Sequence, residues 1–207
     1  MPLVCLFGPD GSGKSSIARA LVRVLRARGT RVRLSWMRGT HTFASLLARV
    51  LGHFSVFKGE DNPNYMITIP SKMRHLWQLI EVASVLPVLV ARYSLPSLIG
   101  CTVIGERYIP DFVAWVTLTT RDSHYPKSFS ARFLLALSLK SQSRTYVTAA
   151  HWRLLERRRD SNSAFLLRQL QLYGKLAKAI NAETLDTTYR TTEDSTQLLL
   201  KFINPEA

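Results

Sequence analysis

The sequence predicts one α/β domain of three layers, a mostly parallel central sheet of about five strands with helices on both faces. Short apolar runs at residues 3–7 and 102–104 suit strands buried on both faces. The segments between them repeat apolar residues at helical spacing, and strands and helices alternate along the chain. A length of 207 residues suits a single domain with one active site, a mobile insertion near residues 52–70 and a lid-like basic segment near 153–163.

The first strand, Leu3, Val4, Cys5, Leu6 and Phe7, stops at Gly8. From Lys14 the residues Ile17, Leu21, Val24 and Leu25 mark one helix face, which Gly29 ends. Val32, Leu34 and Trp36 alternate with Arg31, Arg33 and Ser35, as in a strand near the sheet edge. A helix starting near Thr40 or Thr42 is expected to bury Phe43, Leu46, Leu47 and Val50. Gly52 then opens the insertion, which holds Gly59, Asp61, Asn62 and Pro63.

Ser71 is placed to cap a long helix reaching about Leu86, and the third strand ends at Gly105 and Glu106. Residues 79–104 are apolar, but Glu81, Pro87, Arg92 and Pro96 interrupt them, so they read as buried helix, loop and strand instead of a membrane crossing. Pro110 fits the first turn of a helix carrying Phe112, Val113 and Val116, and residues 129–139 give another. A strand at Tyr146, Val147 and Thr148 leads into a helix through Leu154 and Leu155 that ends in Arg157, Arg158, Arg159 and Asp160. A helix over 164–180, a strand over 184–187 and a helix over 193–202 complete the chain.

The formal charge is +14, from 28 Lys plus Arg against 14 Asp plus Glu, and it points to anionic partners in general: by charge alone phosphates, nucleic acid and membrane surfaces are all candidates. Cys5 and Cys101 adjoin apolar runs and read as buried free thiols of a reducing compartment. With no signal-peptide pattern either, the expected address is the cytoplasm, with no membrane partner; a homodimer stays open. The five histidines lack metal-ligand spacing.

The chemistry concentrates in Gly8, Pro9, Asp10, Gly11, Ser12, Gly13, Lys14 and Ser15, which match in full the phosphate-binding pattern of two glycines four residues apart followed by Lys and Ser or Thr. Glycines let backbone N–H groups turn inward around an anion, and the following helix adds its positive end. Lys14 neutralises β- and γ-phosphates, and Ser15 offers a hydroxyl to Mg²⁺. The fold class sharpens to a three-layer P-loop NTPase fold. The donor-binding set is Gly8, Asp10, Gly11, Ser12, Gly13, Lys14, Ser15 and Ser16, with ATP and Mg²⁺ as cofactors. Glu106, an acid at the end of an apolar strand, is a second metal candidate and a catalytic one beside Lys14 and Arg107.

These residues resemble the thymidylate kinases, a family of P-loop nucleoside monophosphate kinases. Asp10 stands where that family has an acid ahead of its middle loop glycine. Glu106, Arg107 and Tyr108 are similar to its Asp-Arg-Tyr-like motif, followed loosely by Asp111 and Ala114. The resemblance implies ATP-dependent phosphoryl transfer to a nucleoside monophosphate, of the type dTMP + ATP to dTDP + ADP, in nucleotide biosynthesis. It implies an acceptor site of Asp10, Arg38, Arg107 and Tyr108, with Asp10 on the sugar 3′-hydroxyl and Arg107 on the transferring phosphates. It also implies that Glu106 orients the acceptor or a metal-bound water, and that a lid draws on Arg153, Arg157, Arg158 and Arg159. Two positions depart from the family: Glu106 stands where it has Asp, and residues 76–82 hold no counterpart of its base-reading arginine. Trp77 or Tyr65 could stack on a base and Gln78 could hydrogen-bond one. A kinase of another phosphorylated or hydroxyl-bearing metabolite, and a nucleotide-controlled nucleic-acid-binding protein, are the alternatives.

Overall fold

The computed structural model describes residues 3–37, 39–158 and 163–203. Five parallel strands form the sheet, in the order β2-β4-β1-β5-β6: β1 (Leu3–Phe7), β2 (Val32–Trp36), β4 (Thr102–Glu106), β5 (Ser143–Thr148) and β6 (Glu183–Asp186). β1 lies at the centre and is buried along its length, and β2 lies at an edge, as its one polar face requires. A parallel sheet needs crossovers, and the helices supply them on both faces.

The side-chain alternation of β1 divides the core. Val4 and Leu6 pack with Ile17 and Leu21 of α1 (Lys14–Ala27) and Leu199 of α9 (Thr192–Ile203). Leu3, Cys5 and Phe7 face the other way. They join Val85 and Leu89 of α3 (Arg74–Leu89), Phe112 and Val116 of α5 (Ile109–Thr119), Leu134 of α6 (Phe129–Ser138) and Tyr173 of α8 (Ser163–Ala179). The period of two in a strand thus becomes two apolar layers.

Several sequence expectations need correction. α2 (Thr42–Leu51) forms, but Phe43 and Leu46 are each 61% exposed and Val50 is also exposed. α2 approaches α3 through small residues instead: Ala44 and Ala48 are buried, and the Ala44 N–H donates to Ser84 Oγ at 2.9 Å. Large residues cannot occupy so close a contact, so they face outward. The insertion over 52–70 has structure of its own. It carries β3 (Lys58–Asn62), bridged to Ile67, which packs with Ile69 on Ala48 and Trp77, while Arg121 holds Asp61 at 2.6 Å.

Ser71 opens a short 3-10 turn instead of capping α3, whose first residue is Arg74. The helical run does not stop near Leu86. α3 carries Pro87 inside it, widens into a π turn over Val90–Ser94 and ends in α4 (Leu95–Leu98). Its outer side is exposed, not buried as expected, at Leu79, Leu86, Val90, Leu95 and Leu98. By length and composition the run Ser71–Leu98 is apolar enough to cross a membrane, and 44% of its apolar window is buried within the fold. Both thiols are free; Cys5 is buried, and Cys101 is only partly so.

Candidate functional site

The carboxyl ends of β1 and β4 lie side by side and deliver the two sequence motifs to one place. Leu6 pairs in register with Glu106, and the Arg107 N–H donates to the Leu6 carbonyl at 3.0 Å. Gly8, Gly11 and Gly13 have φ of 142°, 83° and 86°, values open to glycine but costly for side chains. A Cβ on Gly8 would lie 2.1 Å from the Val147 carbonyl oxygen. Gly8→Ala is therefore expected to cost on the order of 3 kcal/mol, read as a lowered denaturant midpoint.

Lys14, at the first turn of α1, is buried and curls back into the loop. Its Nζ donates to the carbonyls of Gly8 (2.7 Å) and Pro9 (2.5 Å) and to Ser12 Oγ (3.2 Å). Burial pulls its pKa from 10.5 down to about 8, with Arg107 adding to the fall and Asp111 opposing it. The ammonium is thus held by neutral dipoles that a phosphate would outcompete.

Ser15 donates from Oγ to Glu106 Oε1, and Arg107 pairs with Asp10. Arg107 adopts φ 64°, and its carbonyl accepts from Tyr93 Oη at 3.0 Å, so its backbone is held from both sides in a conformation rare for a side-chain-bearing residue. Burial alone would lower its pKa; Asp111 and Asp10 outweigh that and keep the guanidinium charged.

Asp111, in sequence only a loose continuation of the Glu106-Arg107-Tyr108 motif, is the organiser beneath these groups. It is buried, with Oδ1 accepting from Tyr173 Oη (2.9 Å) and the Gly8 N–H (3.4 Å), and Oδ2 from the Tyr108 N–H (3.3 Å). Burial raises its pKa, against the pull of Lys14 and Arg107. Its signal was an acid in the first turn of a helix directly after a strand-end motif.

α7 (His151–Arg158) covers the loop. A Cβ on Gly11 would meet Arg158 Cγ at 3.1 Å. Arg157 donates to the Gly11 carbonyl (3.2 Å) and, through both terminal nitrogens, to Thr187, whose hydroxyl donates to the Ser12 carbonyl at 3.0 Å. Arg158 reaches Gln169 at 3.0 Å, whereas Arg153 is engaged by Glu156 and by the Trp152 ring. Arg38 and Arg159 lie outside the described residues.

A cavity of about 500 Å³ opens on this arrangement. It is lined by Asp10, Gly11, Gly13, Lys14, Ser15, Ser16 and Ile17 from the loop and α1, and by Arg107 and Arg157. Thr187, Arg190, Thr191, Thr192 and Ser195 complete it. Apart from the strand-end position of Thr187, nothing in the sequence marked that last segment. Glu106 touches the site through Ser15. Tyr108 does not line the cavity; its side chain is buried 4.7 Å from the Tyr93 ring.

The base-contact candidates are engaged elsewhere: Trp77 is buried, Tyr65 donates to Ser45 at 2.8 Å, and Gln78 donates to Asp122 at 2.8 Å. Glu81, from the stretch without the arginine, is buried. It accepts from Thr40 Oγ1 at 2.7 Å, and burial raises its pKa to about 7. No family model matches the chain.

Proposed function

We propose that this chain has the three-layer P-loop NTPase fold and transfers the γ-phosphoryl group of ATP to a small anionic acceptor. A nucleoside monophosphate is the first candidate, in a reaction like that of the thymidylate kinases. The observation that carries the reading is the convergence of a buried ammonium, Lys14, with Arg107 and Arg157 on one cavity at the carboxyl edge of a parallel sheet. Four cations, Lys14, Arg107, Arg157 and Arg190, against one carboxylate, Asp10, line about 500 Å³ and suit a polyanion such as a triphosphate, and strand ends are where such sheets bind ligands.

Ser15 Oγ and Glu106 Oε1 meet at hydrogen-bond contact, so two hard oxygen donors converge beside the cavity. That suits Mg²⁺, which takes few protein ligands and keeps its remaining positions for phosphate and water. Ser15 and Glu106 would hold it, and when bound it supplies neutralisation of phosphate charge.

Lys14 leaves the loop carbonyls for the β- and γ-oxygens. Arg107 spans the transferring group and the acceptor, and Asp10, its partner, orients the acceptor's hydroxyl. In transfer the bond from γ-phosphorus to the β-bridging oxygen breaks, its electron pair stays on ADP, and an acceptor oxygen bonds to phosphorus. A phosphate acceptor is already ionised, so positioning and charge suffice. Arg157 and α7 exclude water from the donor side, which favours transfer over hydrolysis. Incubation with ATP, Mg²⁺ and a panel of nucleoside monophosphates should show ADP release that rises with one acceptor class. Release that no nucleotide or hydroxylated acceptor accelerates would reject the kinase.

A second reading, nucleotide-controlled nucleic-acid binding, draws on a groove of about 560 Å³ beside the cavity, lined by Arg19, Arg23 and Arg26 of α1. It requires oligonucleotide retention that falls steeply with salt and no acceptor-dependent turnover.

A further inference from the structure

The outer side of the run Ser71–Leu98 is apolar with almost no interruption. Between Arg74 and Arg92 the only charged residue is Glu81, which is buried, so about 27 Å of helix presents no charge to solvent. Leu76, Leu79, Ala83, Leu86 and Val90 follow one another at steps of three and four and share that side; the four large ones are 37% to 59% exposed. Leu98 and Ile99 extend it at 72% and 77% exposure.

The neighbouring helix α2, tied to α3 by the bond from Thr42 Oγ1 to the Ser84 carbonyl at 2.6 Å, adds exposed Phe43, Leu46 and Val50. Two adjoining helices therefore leave their large residues outside while small ones make the contact between them. Monomeric folds rarely leave an apolar surface of this extent in water.

The inner side of the same run settles which way it can meet a bilayer. Val85, Leu89 and Tyr93 are locked in the core, so the helix cannot cross and can only lie flat. Exposed Arg49 of α2 and Lys72 at the start of the run lie beside the apolar surface in sequence, both basic, while Arg92 turns to the Trp36 carbonyl at 2.9 Å, and the chain carries a net charge of +14. Such a surface complements anionic headgroups, whereas pairing it with a second copy brings two like-charged bodies together.

We infer that the α2–α3–α4 face is a docking surface for an anionic lipid bilayer, on which the protein lies with Leu79 and Leu86 in the headgroup boundary. With Glu81, Pro87, Arg92 and Pro96 interrupting residues 79–104, the sequence predicts no crossing segment and on that ground no membrane partner, although its charge alone is compatible with a membrane surface. A surface that lies flat becomes visible only once the outward side chains are known.

Vesicles of phosphatidylcholine mixed with phosphatidylglycerol, and of phosphatidylcholine alone, test this by co-sedimentation with the full chain. Wild type is expected to bind the anionic vesicles and to be released at high salt. Leu79→Glu/Leu86→Glu, at exposed positions remote from the phosphate site, is expected to keep its circular dichroism and bind more than about tenfold less. Leu79→Cys in a Cys101→Ser background, carrying an environment-sensitive fluorophore, should shift to the blue on adding anionic vesicles, which reads the face without disturbing charge. No binding to anionic vesicles would overturn the inference, as would undiminished binding of the double variant. So would a blue shift produced by raising protein concentration alone, which would mean that a second copy covers the face.

Discussion

Lys14→Ala is expected to lower phosphoryl transfer by about 10³-fold or more while leaving the fold intact. The ammonium is buried in the cavity wall, and among the described residues no other side chain donates to the Gly8 and Pro9 carbonyls that it now satisfies. The same substitution has a second, opposite effect. A pKa lowered from 10.5 to about 8 means that the empty fold resists the charged form. Between those two values the unfolded chain holds more protons, so the stability that Lys14 contributes to the empty protein rises with pH across that window and is lost as pH falls toward 8. Thermal melts of wild type and Lys14→Ala without nucleotide should show wild type gaining on the variant from pH 8 to pH 10. An unchanged gap would refute the lowered pKa, and undiminished transfer in the variant would refute the assigned role.

Arg107→Ala is expected to reduce turnover by about 10³-fold, through loss of the charge that follows the transferring group. Its backbone allows a sharper comparison. At φ 64° any residue with a Cβ is strained, so Arg107→Gly should be as inactive as Arg107→Ala yet more stable than it by about 1 kcal/mol. Urea denaturation with steady-state kinetics separates the two. Equal stabilities would mean that the left-handed backbone carries no cost, and a working Arg107→Gly enzyme would remove the guanidinium from the reaction.

Local patterns were the legible part of this chain. The glycine loop, the helix after it and the strand ending at Glu106 follow from spacing within a few residues, and the α/β alternation follows from their order. What pairs between elements far apart in sequence was not legible. Asp111 and Tyr173 meet from elements 62 residues apart, and Arg157 reaches Thr187 across 30. No periodicity records such contacts. The inverted face of α2 failed for a related reason: hydrophobicity predicts which residues prefer burial, but close helix contact selects small ones, and Ala44 and Ala48 won over Phe43 and Leu46. Spacing likewise could not show that Tyr108, one residue beyond the arginine, turns inward against Tyr93.

Tyr93 gives the π turn over Val90–Ser94 a mechanical meaning. Its ring fits against Gly105, where a Cβ would lie 3.1 Å away, and its hydroxyl grips the Arg107 carbonyl, while Val90, three residues earlier, faces solvent. One helical turn is therefore a strut between the outer wall of the protein and the peptide that aims its central guanidinium. Tyr93→Phe, which keeps the ring and cuts the tether, would leave the strut standing but disconnected.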